Sequence, residues 1–466
     1  MLSFTFPDSS LPRHNISIPD CSRRASFCIV TRILIIKRFT YSEFPIYRGE
    51  ALGEIDMLIR FFALLFLLTA ISSPAQSTPF LLHDGDTVVF YGDSITEQRL
   101  YTVYVATAVH TQYPTWHIRF FNAGVGGDRV TGGVAGPIDT RLTRDVIARH
   151  PTVVAIMLGM NDRATPETRA AYEPGYEHIL TRLRAELPGV RLSVIAPSPF
   201  DQITRPADRG NDPLVNFTAI DKSLAAKFNA SFVDLNTPLT AALVRANATD
   251  PIAARLALPD RVHPTGGFHW LMAETILRGW HMPQIAASVT LDGHTGKLLN
   301  QEESVVSHVQ AANNRLQWIE TDDPDTTIFD SIDGNESLFR LLTEAPHLGQ
   351  RILRVENLVP GTYALDIDGK SLPAPFSAGE LTTGVDLSMM PTPMHIQGRG
   401  VFYACSDSDG LQISRIRAIS RTAELPTNTN LAEGTKFLDE VIDSAEHRIA
   451  VASAPKDHTF VLQRLR

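Results

Sequence analysis

The sequence predicts an α/β fold over about residues 84–280, with a parallel sheet wrapped by helices. Three observations predict it. Short apolar runs alternate with amphipathic stretches, as in successive strand-helix units. The first run, Val88-Val89-Phe90-Tyr91, stops abruptly at Gly92-Asp93-Ser94, and ligands bind at the carboxyl ends of strands in open α/β sheets. Between Glu173 and Leu187, Tyr176, Ile179, Leu180, Leu183 and Leu187 share one face at helical spacing, the pattern of a helix packing on a core.

Taken in order, the expected strands are Thr87–Tyr91, His117–Asn122, Val153–Leu158, Arg191–Ala196 and Ser231–Asp234. The helix over Glu173–Leu187 places Pro174 in its first turn, where proline is tolerated, and ends at Pro188-Gly189. After about residue 285 the texture changes. Leu353–Gly369 reads as two alternating strands joined at Val359-Pro360-Gly361, a β-hairpin. Leu431–Ile449 reads as a helix. Residues 285–466 are expected to form a β-rich or mixed carboxy-terminal extension, either an appendage or a cap.

Near the amino terminus, Met57-Leu58-Ile59-Arg60 precedes an apolar run from Phe61 to Ile71, followed by small residues from Ser72 to Ser77. That is the layout of a secretory signal peptide over 57–77, cleaved after Ala75 or Ser77. The run is too short for a stable membrane span, which needs roughly 20 residues. A buried hydrophobic helix is the alternative. Because signal peptides begin a chain, residues 1–56 are expected to be an upstream extension from a start codon called too early. The expected location is secreted or periplasmic.

Composition sets wide limits. A length of 466 residues suits two or three structural units, and 44% hydrophobic with 20% charged residues is ordinary for globular proteins. A net charge of −9 argues against nucleic acid, whose phosphates require a basic face. Three cysteines are too few for a disulfide framework. Cys405 reads as a small buried hydrophobe. No zinc-type ligand spacing and no phosphate loop occur, so neither metal nor cofactor is expected. The sequence carries no signal of oligomeric state.

Acyl transfer by a serine needs a hydroxyl, a base, a group that orients the base, and donors for the oxyanion. Ser94 supplies the hydroxyl. In Asp260-Arg261-Val262-His263, the aspartate can reach the imidazole across one turn and fix its tautomer. Short pairs of this kind often cap helices instead. Asn122-Ala123-Gly124-Val125-Gly126-Gly127 offers a backbone N–H in a glycine turn, although its Gly-x-Gly also resembles half of a dinucleotide fingerprint. Asn161, in Gly159-Met160-Asn161-Asp162, offers an uncharged amide, or forms an Asx turn or cap. The other histidines, His269 included, read as surface or satisfied core groups.

Together, Gly92-Asp93-Ser94-Ile95, the turn ending at Gly127, Gly159–Asp162 and Asp260–Pro264 resemble, in order, the four sequence blocks of the SGNH hydrolases. These are also called GDSL esterases and lipases. The resemblance covers roughly residues 84–280. It implies a three-layer α/β/α sandwich with a parallel sheet, Ser94 as nucleophile, His263 as base and Asp260 as its partner. It also implies an oxyanion hole of the Ser94 and Gly127 N–H groups with the Asn161 side chain. Asp93 and Asp162 stand as supporting residues. The departures are Ile95-Thr96 after the serine block and Met160, neither at a reacting atom. In the extension, Ile367-Asp368-Gly369-Lys370, Gly384-Val385-Asp386-Leu387 and Thr392-Pro393-Met394 resemble additions to some secreted bacterial members.

The resulting expectation is a secreted serine esterase acting on a small-molecule or polysaccharide ester, acetylated carbohydrate foremost. The alternatives are a lipase or thioesterase of the same family and a catalytically inactive carbohydrate-binding relative.

Overall fold

Val88, Val89, Phe90 and Tyr91 are fully buried, as a strand covered on both faces must be. They form β1 (Thr87–Gly92), followed in chain order by β2 (Arg119–Gly124), β3 (Val153–Met157), β4 (Arg191–Ile195) and β5 (Ser231–Val233). All pair in parallel, in the order β2-β1-β3-β4-β5. The sheet reverses direction at β1, and such a switch point opens a crevice beyond the strand ends. The computed structural model describes residues 78–465, except 207–209, 313, 327–335, 344–345 and 423–428. The segments 1–56 and 57–77 lie outside the described residues. Residues from Thr78 onward form one compact unit.

Helices α1 (Ser94–Glu97), α2 (Leu100–Gln112), α3 (Pro166–Glu186), α4 (Asp212–Lys227), α5 (Asn236–Thr249) and α6 (Gly266–Gly279) connect the strands and flank the sheet. α2 packs with α6, and α3 with α4. This is the expected α/β/α sandwich. The predicted strands lie within two residues of the observed ones. β2 starts later because the His117 N–H is taken by the Asp84 carboxylate at 2.6 Å, while pairing with β1 continues to Gly124.

The reading of Pro174 needs correction, since α3 begins at Pro166 and Pro174 lies inside it. Thr165 accepts the Thr168 N–H, Thr168 bonds back to the Thr165 N–H, and Pro166 fills the first turn. Pro174 is tolerated in the interior because it sits on the exposed face, away from the buried stripe of Tyr172, Tyr176, Ile179, Leu180 and Leu183.

The rest of the chain is mixed. Strands β6 (Ile285–Asp292), β7 (Leu298–Glu302), β8 (Val305–Ala312), β9 (Arg315–Asp322), β10 (Gln350–Glu356), β11 (Thr362–Ile367) and β12 (Val385–Asp386) precede two long helices, α7 (Pro393–Thr422) and α8 (Thr429–Ser453). A last strand, β13 (Lys456–Arg464), closes the fold. One sheet runs β12-β10-β6-β7 and another contains β8-β9-β13-β11. Leu353 and Val355 of the first meet Leu365, Ile367, Trp318 and Phe460 of the second in a core of their own.

The expected hairpin is therefore absent. β10 pairs in parallel with β6, whereas β11 pairs antiparallel with β13. The five residues 357–361 carry the chain from one sheet to the other, with Asn357 at φ 56°. Alternation along a strand reports that one face is buried, but leaves open which neighbour takes its hydrogen bonds.

α7 was not anticipated. Glycines at 398, 400 and 410 interrupt it, and Ser408, Asp409 and Gln412 are buried within it, so no clean apolar stripe marks it in the sequence. A Cβ on Gly398 would lie 2.3 Å from the Asp325 carbonyl oxygen. The residue is glycine because two backbones touch there. α7 packs against α8, α2 and β2, and Phe402, Cys405 and Ile416 share the core of the α/β sheet.

Candidate active site

Ser94 is the first residue of α1, immediately beyond β1. Asp93 caps that helix, its Oδ1 accepting the Ile95 N–H at 3.0 Å. Asp93 is buried, and loss of water pushes its carboxyl up to about 7. The serine hydroxyl stays half-buried and faces His263, with 2.9 Å between Oγ and Nε2.

His263 lies on the loop before α6. Its Nδ1 is 2.6 Å from Asp260 Oδ2, while Asp260 Oδ1 accepts the backbone N–H groups of Val262 at 3.0 Å and His263 at 2.7 Å. Partial burial disfavours the carboxylate, yet the backbone and side-chain hydrogen bonds from His263 outweigh it and hold the Asp260 carboxyl down at about 2. Asp260 is thus an anion across the neutral range, aimed at the ring nitrogen opposite the serine. The loop takes a strained form at Arg261, φ 77°, which surrounding structure must enforce. Asp201 donates its N–H to the Arg261 carbonyl at 2.9 Å, and the Arg261 guanidinium donates to the Arg205 carbonyl at 2.6 Å.

Two further strand ends supply donors. Beyond β2, Gly127 adopts φ 80° with open space where a Cβ would stand. Glycine is required there by conformation, not by crowding. Among the described residues the Ser94 and Gly127 N–H groups make no hydrogen bond. Beyond β3, Asn161 Nδ2 donates one hydrogen to the Asp128 carbonyl at 3.0 Å, leaving its second available. Asp162 Oδ1 accepts the Val130 N–H at 3.2 Å, and burial pushes that carboxyl up to about 7. The two loops are thus tied in both directions. Underneath, fully buried Arg141 donates to Asp128 Oδ2 at 2.8 Å and to the Ala123 carbonyl at 2.7 Å.

Ser94, Gly127 and Asn161 therefore follow the carboxyl ends of β1, β2 and β3, and hydrogen bonds bring His263 and Asp260 to Ser94. Residues that hold this arrangement from beneath escaped the sequence reading, Glu97 and Arg141 above all. Glu97 Oε2 accepts the Gly126 N–H at 2.7 Å, and its position three residues after the serine was the available signal. His269 needs correction. It is neither exposed nor satisfied: it is fully buried, stacks on Tyr101 at 6.2 Å, and neither ring nitrogen has a partner among the described residues. Burial, with His263 nearby, pushes its imidazole down to about 3, so the ring packs as a neutral plate.

Beyond the switch point of the parallel sheet a serine hydroxyl, an imidazole and a carboxylate thus stand in hydrogen-bond sequence. Residues 90–271 match the GDSL-like lipase/acylhydrolase family, and this region has the SGNH-like fold and is a carboxylic ester hydrolase. An acetylxylan esterase of Geobacillus stearothermophilus is 27% identical over 215 residues, 42% of this chain and 93% of that protein. BT4096, a gut microbial diltiazem-metabolizing enzyme, shares the fold with a TM-score of 0.70 at 20% identity, over 84% of this chain and 100% of that one. That span is too large to be the hydrolase sheet alone.

Proposed function

We propose that this ester hydrolase works through a Ser94-His263-Asp260 triad and removes small acyl groups, acetyl foremost, from carbohydrate esters. The observation that carries the triad is the unbroken relay of 2.9 Å from Ser94 Oγ to His263 Nε2 and 2.6 Å from Nδ1 to Asp260. In this reading Ser94 Oγ attacks the ester carbonyl while His263 takes its proton, and Asp260 stabilises the imidazolium. The oxyanion receives the N–H groups of Ser94 and Gly127 and the free Asn161 amide hydrogen. The imidazolium protonates the departing alcohol, leaving an acyl-serine, and His263 then deprotonates the water that releases the acid. The choice of acetylated carbohydrate is supported by the similarity to an acetylxylan esterase.

Turnover of para-nitrophenyl acetate by the wild type, and its loss in Ser94→Ala, is the expected result. A Ser94→Ala protein with full activity overturns the triad, and a wild type that binds glycan without turnover favours the binding-protein alternative. A panel of acetylated xylan, acetylated pectin fragments and phospholipid then sorts substrate, with preference for phospholipid overturning the carbohydrate reading. We further propose export through residues 57–77, with Met57 as initiator. Amino-terminal sequencing of the natural product is expected to begin after Ala75 or Ser77, and peptides from residues 1–56 in it overturn the proposal.

A further inference from the structure

A chain of polar contacts runs from helix α7, far along the sequence, into the glycine turn that carries Gly127. The Arg417 guanidinium meets Glu97 Oε1 through Nε at 2.7 Å and Nη2 at 2.6 Å. The other oxygen of that carboxylate accepts the Gly126 N–H at 2.7 Å. Two more α7 side chains grip the strand leading into the turn. Gln412 accepts the Asn122 N–H and donates to the Phe120 carbonyl, both at 2.9 Å, so its carboxamide takes the place of a neighbouring strand along β2. Asp409 accepts from the Thr102 hydroxyl at 3.2 Å and from Asn122 Nδ2 at 3.3 Å.

We infer that Arg417 is a positioning residue for ester hydrolysis, acting through Glu97 to hold the Gly126-Gly127 turn where its N–H meets the oxyanion. The inference rests on the serine-esterase reading of the site. Two adjacent glycines lack side chains to restrain them and leave a turn many conformations. A donor contributes to catalysis only when it is already aimed at the developing charge. A charge-assisted hydrogen bond from Glu97 supplies the restraint, and the Arg417 fork aims the carboxylate. The Arg417 side chain is 53% exposed and that of Glu97 19%, so added salt reaches and weakens the pair.

The test uses the full-length protein and para-nitrophenyl acetate. Replacing Arg417 with Met is expected to lower kcat about fivefold, the scale of one exposed ion pair, with KM within about twofold because ground-state binding is untouched. Arg417→Lys restores part of the loss. The Arg417→Met/Glu97→Gln double variant is no slower than Glu97→Gln alone, since both act on one contact. Salt at about 1 M, where the screening length is about 3 Å, lowers kcat of the wild type but not of Arg417→Met. Arg417→Met turning over like the wild type, or effects of the two substitutions that multiply, overturns the inference. Ser94→Ala tests the esterase reading separately. Should the wild type prove inactive, amide exchange in residues 122–128 still decides: faster exchange in Arg417→Met supports the restraint, and unchanged exchange overturns it.

Discussion

The sheet region and the α7–α8 region contribute to the site in opposite ways. The sheet carries Ser94, Gly127 and Asn161 beyond the ends of three neighbouring strands, and its own interior is apolar and fully buried around Val88–Tyr91 and Val153–Ile156. Helix α7 carries none of these residues, yet it buries Asp409 and Gln412 against α2 and β2, and Ser408 against Glu446 of α8. One region is specified by hydrophobic patterning, the other by particular hydrogen bonds. The change of texture near residue 285 marks a change in how the chain is encoded, while packing continues across it through Phe402, Cys405, Ile416 and Ile449.

Substitutions separate the two contributions. The largest effect is expected from Ser94→Ala, with kcat for para-nitrophenyl acetate falling about 10⁶-fold by analogy with other serine hydrolases and the melting temperature unchanged. Asp260→Asn should follow with a loss of about 10⁴, because the amide stabilises the wrong tautomer of His263, and circular dichroism should find the fold intact. Asn161→Ala removes one oxyanion donor, worth about 2.7–4 kcal/mol, and steady-state kinetics should place the loss in kcat.

At Gly398 in the helical region the expected response is stability. Gly398→Ala forces a methyl group against the Asp325 carbonyl at 2.3 Å and should cost about 1–3 kcal/mol in denaturant unfolding. If that variant instead lost turnover at full stability, the division between reacting and supporting regions would be wrong.

The smallest effect is a dependence on pH. Burial pushes the carboxyls of Asp93, Asp162 and Asp409 up to about 7, above the unfolded value of about 3.9. The folded state therefore holds these protons more tightly. The stabilisation is complete below about pH 4 and is lost as pH rises through about 7. Thermal melts should give a higher midpoint at pH 5 than at pH 8, and Asp409→Asn should narrow the gap.

Much of the hydrolase sheet was legible because parallel strands buried on both faces leave continuous apolar runs, and because tight turns force Gly-Asp-Ser and Gly-Gly into recognisable strings. Asp260 and His263 were legible because they are close in sequence. What could not be read was pairing over long separations. β10 and β11 look like partners until their hydrogen bonds go to β6 and β13. Helix α7 hides because its glycines and buried polar residues answer to neighbours such as Asp325 and Asn122. His269 misled for the same reason: only the fold places it beside Tyr101 with no partner for either nitrogen among the described residues.

Gln412 has one more consequence, for handling the protein. β2 is the last strand of its sheet, and an uncovered edge invites pairing with another molecule. The Gln412 carboxamide occupies backbone groups of Phe120 and Asn122 on that edge. A chain trimmed near residue 284 to isolate a minimal esterase would bare it, and should come out of expression as insoluble self-associated material.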